Sequence, residues 1–138
     1  MKERHTTVPS DAVHLPALML FMQEFWAAEK LSLAQAMPFE LALEEIFLNI
    51  VMHGAAAGAA LHVGVSLALL DDAVTMTVTD DGPQFNPLSL PPPDLAATLA
   101  DRPVGGQGVH LVRQMMDAVS YQRVGTHNHL CMSKRVGR

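Results

Sequence analysis

Cysteine is all but absent from this chain. The one thiol, Cys131, leaves no intramolecular disulfide to form, which suits a reducing compartment. Aromatic residues are also scarce, at 5% against 49% for all hydrophobic residues, so the expected core is one of Leu, Val, Ala and Met. Cations are in the minority: nine Lys and Arg face fourteen Asp and Glu, for a formal net charge of −5. That balance excludes nucleic-acid binding by bulk electrostatics, although it leaves room for a local basic patch. No apolar run approaches the ~20 residues of a membrane span. The start, Met1-Lys2-Glu3-Arg4-His5, has no adjoining apolar signal core. There is no internal repeat. A soluble cytoplasmic domain is the expectation, one unit over residues 1–138, with neither nucleic acid nor membrane as a direct partner.

What is present is hydrophobic periodicity. Residues 5–8 have the composition of a short edge strand. Pro9-Ser10-Asp11 marks a helix start, with Ser10 as the expected N-cap. The helix over about 11–29 carries Leu15, Leu18, Met22, Phe25 and Trp26 at helical spacing, with Pro16 near its first turn. Its wide apolar coverage, Met19 and Phe21 included, reads as core first and as a partner surface second. Leu31-Ser32-Leu33 is a connector. Pro38 fits the first turn of a second helix, where its missing N–H costs little. That helix runs to about Met52 and is expected to stop at Gly54.

Residues 61–70 and 73–79 alternate as strands around Asp71-Asp72, which makes a hairpin. Residues 85–103 are loop-like, broken by Pro91-Pro92-Pro93. A connection of that length is either a functional lid, about 84–104, or a disordered segment. Gly105-Gly106-Gln107-Gly108 then leads into Val109, Leu111, Val112, Met115 and Met116 at helical spacing, closed by Asp117. Strands over 118–123 and 129–134 follow. Two strand pairs with packed helices indicate an α/β two-layer sandwich, an α+β arrangement with helices on one face of a mixed, mostly antiparallel sheet.

Three segments carry chemistry. In the second helix Glu45, Asn49 and His53 stand four residues apart. At about 100° per residue each step drifts only ~40°, so a carboxylate, a carboxamide and an imidazole form one stripe. The stripe suits a metal ion or a polar ligand. Each member also has an ordinary reading: Glu45 in solvent, Asn49 bonded to a loop, His53 at the helix C-terminus where its charge suits the dipole. Asp80-Asp81-Gly82-Pro83 is either a turn or a carboxylate projecting from a strand end into a pocket, where it accepts a hydrogen bond from an amino group. A glycine-rich loop entering a helix N-terminus exposes N–H groups to a phosphate. No strand–crossover–strand unit precedes it and the Walker lysine is missing, so neither a Rossmann site nor a P-loop is expected.

Together and in this order, these segments resemble the ATP-binding domain of gyrase, the heat-shock chaperone, sensor histidine kinases and MutL, the GHKL superfamily with its Bergerat-type fold. Glu45-x3-Asn49-x3-His53 resembles the N box, Asp80-x-Gly82 with Phe85-Asn86-Pro87 the first glycine box, and Gly105 through Val112 the second. Arg102, Met116-Asp117, Tyr121, Arg123, Asn128-x-Leu130 and Lys134 resemble the branch of anti-sigma-factor serine kinases. Gln84 stands where many relatives have glycine, and Cys131 where they often have threonine near the pocket. No phosphorylatable histidine lies in a dimerisation helix, which argues against an autophosphorylating sensor.

The resemblance implies ATP and Mg²⁺ as cofactors. By position, Glu45 is the general base, Asn49 the Mg²⁺ ligand, and Asp80 the adenine acceptor beside Gly82. Gly105, Gly106 and Gly108 cradle phosphates, Arg102 reaches the β- or γ-phosphate, His53 orders the pocket, and Phe85, Gln107 and Val109 belong to the same nucleotide-binding set. It implies a protein-serine kinase that phosphorylates an anti-sigma-factor antagonist of the STAS type, sequesters a sigma factor, and is compatible with a homodimer. The alternatives are a nucleotide-dependent protein-binding module without phosphotransfer, and a scaffold that binds no nucleotide.

Overall fold

The structure is a computed structural model and describes residues 2–56, 58, 60–89 and 107–137. Among these residues five strands and three α-helices follow in the order β1 (Lys2–Pro9), α1 (Leu15–Ala28), α2 (Leu33–Ala56), β2 (His62–Leu70), β3 (Ala73–Asp80), α3 (Gln107–Met115), β4 (Ala118–Val124) and β5 (His127–Arg135). The sheet order is β1-β2-β3-β5-β4. Every neighbouring pair is antiparallel. This is the expected α+β layering.

The sheet has two unlike faces. Val63, Val65, Leu67 and Leu69 of β2 are buried, as are Val74, Met76 and Val78 of β3 and Leu130 and Met132 of β5. The alternate residues, such as Thr75, Thr77 and Thr79, stay half-exposed. The period of two thus puts one face against the helices and leaves the other partly open. Cys131 belongs to that second face, where Thr77 Oγ1 lies 3.7 Å from its Sγ. The expectation that it stands near the pocket is therefore corrected: Asn128, Leu130 and Met132 take the buried face, and the pleat turns Cys131 away.

Four of the seven aromatic residues, Phe25, Trp26, Phe39 and Phe47, lie in the core. The expected core of Leu, Val, Ala and Met is thus amended: the few aromatics are spent inside, with Phe25 and Trp26 packed edge to face at 5.6 Å.

Several element boundaries differ from expectation. Ser10 is not the N-cap of the first helix. Asp11 caps a short 3-10 turn, Ala12–His14, by accepting from Val13 N–H, while Ser10 Oγ accepts from Leu61 N–H at 2.8 Å. The second helix begins at Leu33, five residues before Pro38. Ser32 and Gln35 form a capping box: Gln35 N–H donates to Ser32 Oγ and Ser32 N–H to Gln35 Oε1. Gly54 does not end this helix, which continues to Ala56. A Cβ at Gly54 would lie 3.1 Å from Leu61 and 3.2 Å from Ser10, so the glycine lets the helix pass close to that junction. The edge strand β1 spans eight residues rather than the expected four.

Candidate functional site

The long helix α2 crosses the inner face of the sheet and brings Asn49 over the end of β3. Asn49 is buried, and its Nδ2 has no hydrogen-bond partner among the described residues. An unpaired buried amide costs about 1–3 kcal/mol, so the position calls for a polar ligand. One turn on, His53 is exposed and its ring lies 4.1 Å from that of Phe85.

Across from them is Asp80, the last residue of β3 and also buried. Its Oδ1 accepts from Gly82 N–H at 2.9 Å and from Asn128 Nδ2 at 3.0 Å. The first bond folds the chain back at the strand end. The second follows from sheet register, because Asn128 is the β5 partner of Asp80. Oδ2 carries no hydrogen bond among the described residues. Gly82 is required by contact: a Cβ there would lie 2.6 Å from Leu61 Cδ1 and 3.0 Å from Asp80 Oδ1.

Asn128 is the hub of this end. Besides Asp80 it donates to the Pro83 carbonyl at 2.9 Å. Its Oδ1 accepts from Tyr121 O–H at 2.6 Å, Phe85 N–H at 3.2 Å and Arg123 Nη1 at 3.2 Å. Arg123 Nη1 also donates to the Gly82 carbonyl at 2.8 Å. The β4–β5 hairpin thereby holds the loop over 80–85 in place. Asn49, His53, Asp80 and Phe85 border one cleft of about 350 Å³, floored by Ile46, Ile50, Val78 and Leu130 and closed by Tyr121 and Asn128.

Glu45 lies outside that cleft. Half-buried, it faces a neighbouring groove between α2 and α3. Gly108 sits directly against its carboxylate, so that any Cβ at 108 would overlap the Glu45 side chain. Among the described residues, no group of three or more His, Cys, Asp or Glu is placed to hold a metal ion. No helix among them is long and apolar enough to cross a membrane.

A model of the histidine kinase-like ATPase domain matches residues 8–134. The chain belongs to that family. It is 33% identical over 93 residues to the serine/threonine-protein kinase BtrW of Bordetella bronchiseptica, a match covering 67% of this chain and 66% of that protein. Its fold also matches the crystal structure of the RsbU and RsbW domains of Rv1364c from Mycobacterium tuberculosis, with a TM-score of 0.70 at 15% identity. That match covers 99% of this chain and 32% of the other, so this ATPase domain spans only part of each relative.

Of the expected site residues, Asn49, His53, Asp80 and Phe85 border the one cleft, while Glu45 faces the neighbouring groove with Gly108. Val109 is buried, so at that position the start of α3 offers a ligand only its backbone. Gln107 opens α3. Arg102, Gly105 and Gly106, like most of the expected lid at 84–104, lie outside the described residues. Asn128 and Tyr121 had no expected role of their own in the site. The signal for Asn128 was its place opposite Asp80, which is readable only once β3 and β5 are paired.

Proposed function

We propose that this histidine kinase-like ATPase domain binds ATP with Mg²⁺ and transfers the γ-phosphoryl group to a seryl hydroxyl of a small antagonist protein of the STAS type. Unopposed, it sequesters a sigma factor in the cytoplasm. The observation that carries this reading is the pairing, across one apolar cleft, of the Asn49 carboxamide with the Asp80 carboxylate, whose Oδ1 is already occupied.

Asp80 Oδ2 is left to accept from the exocyclic amino group of adenine. The apolar floor suits a flat base, and Phe85 with His53 orders the rim. The Asn49 amide oxygen would hold a nucleotide-borne Mg²⁺, a hard cation that takes oxygen ligands. The chemistry such an ion would supply there is neutralisation of phosphate charge. Gly108, Val109 and the preceding Gly105, Gly106 and Gln107 offer backbone N–H groups at the α3 N-terminus, and Arg102 adds a cation. In the transfer, Glu45 takes the seryl proton while the seryl oxygen bonds to the γ-phosphorus. The bond from that phosphorus to the bridging oxygen breaks, and ADP leaves. The lid at 84–104 closes over the nucleotide, and the kinase works as a homodimer.

Calorimetric titration with ATP, with and without Mg²⁺, tests the core of this reading. Mg²⁺-dependent binding that Asn49→Ala abolishes supports it; a wild-type chain that binds no ATP removes it. One observation favours a module without phosphotransfer: Glu45 packs on Gly108 outside the cleft. Phosphoryl transfer lost in Glu45→Ala with ATP binding intact selects the kinase. A partner effect that survives Glu45→Ala selects the module.

A further inference from the structure

We propose that the groove between α2 and α3 is the docking surface for the protein substrate, and that it takes a serine-bearing segment with leucine-like residues and a Lys or Arg beside the serine. The proposal rests on the kinase reading and names its substrate class.

α2 buries Phe39, Leu43 and Phe47 on its core side, so its outer face owes the core nothing. Yet Met37, Leu41, Leu48 and Met52 run along that face at 45, 46, 39 and 40% exposure. Their spacing places them in one line along the helix. From α3, Leu111 faces the same groove at 49% exposure. A stripe of this length is more than scattered surface residues, and marks an interaction site. The groove it borders has about 500 Å³ of space, more than the cleft.

Charge decides the occupant. Glu44 and Glu45 stand among the leucines of the groove. Neither has a hydrogen-bond or ion-pair partner among the described residues. Two carboxylates between apolar side chains disfavour an anionic lipid or an acidic peptide. They suit a cation on an apolar stem, which is a Lys or Arg side chain. Glu45 also ties the groove to the chemistry. It lies one turn from Asn49, so a hydroxyl docked in the groove meets the carboxylate that takes its proton.

The test uses the full chain, Mg²⁺ and a non-hydrolysable ATP analogue. Two fluorescent peptides share a polar frame around a centre of leucine, lysine, serine and leucine, or the same centre with glutamate for lysine. Anisotropy is expected to show the lysine peptide bound roughly tenfold more tightly, about two surface ion-pair increments. Glu44→Lys, an exposed change that leaves the fold intact, is expected to erase or invert that preference. Leu111→Asp weakens both peptides. Equal binding of the two peptides to the wild type, or none, overturns the proposal. So does a Leu111→Asp chain that loses a dimer while keeping peptide affinity, since the groove then belongs to a second copy. ATP titration of the same wild-type chain separates the two readings. Peptide preference without nucleotide binding in the wild type sinks the kinase and leaves the groove; nucleotide binding without preference does the reverse.

Discussion

The two ends of the site are built differently. Around Asp80 nearly every polar group is taken: Asn128 alone bonds to Asp80, Pro83, Tyr121, Phe85 and Arg123. Around Glu45, one helix turn from Asn49, there are leucines, a glycine and two carboxylates without partners among the described residues. The first end is held by the protein itself, as suits the selection of a flat base by shape and one acceptor. The second is left for partners to complete, as suits a reaction in which charge and a hydroxyl arrive with the ligands.

The strongest way to break that contrast is Asn128→Ala. It removes one of the two donors to Asp80 Oδ1 and the acceptor of a tyrosyl hydroxyl and a backbone N–H, and is expected to cost about 3 kcal/mol in urea unfolding and to abolish ATP binding. A loss below about 1 kcal/mol would mean the hub is not what holds the loop. Gly82→Ala comes next. Its Cβ meets Leu61 at 2.6 Å, for an expected loss of about 2 kcal/mol, which Leu61→Ala in the same chain partly relieves. Additive losses in that double-mutant cycle would sink the steric account.

Outside the cleft, Asp81 accepts from the backbone and ring of His62 at 2.7 Å each. Burial works to raise its carboxyl pKa, but the two hydrogen bonds and the attraction of His62 outweigh it and hold the carboxyl below its usual range. A lowered folded pKa gives stability that is present at neutral pH and down to about pH 4, and lost as pH falls through the folded value. With His62 largely exposed, the contribution is under about 1 kcal/mol. Asp81→Asn should flatten that acid limb in thermal melts and leave nucleotide binding unchanged. The smallest stability effect is expected of Gly108→Ala, within about 0.5 kcal/mol, if the half-buried Glu45 side chain turns aside from its Cγ outward, since Ala favours a helix. Phosphoryl transfer should nonetheless fall, sharpening the contrast with Gly82.

Much of this was legible in the sequence. The period-two alternation of β2 and β3 fixed their inward faces, and the four-residue spacing placed Asn49 and His53 on one side of α2. The start of α2 was misread because a proline at a first turn is a familiar signal, while the capping box of Ser32 and Gln35 lay unread before it. Gly54 reads as a helix stop by propensity, but close packing on Leu61 gives it another use. Asn128 had no local signal, because its role depends on a strand pairing with Asp80, 48 residues away.

The crowding at Gly54 has a mechanical side. Ser10 and Leu61 exchange two bonds there, pinning the end of α2 between the exit of β1 and the entry of β2. With a rise of about 1.5 Å per residue, Asn49 stands roughly 7.5 Å from this fulcrum and Glu45 roughly 13.5 Å. A tilt of the helix about Gly54 would therefore swing the Glu45 carboxylate almost twice as far as the Asn49 carboxamide, so one small motion would change the distance between the two groups.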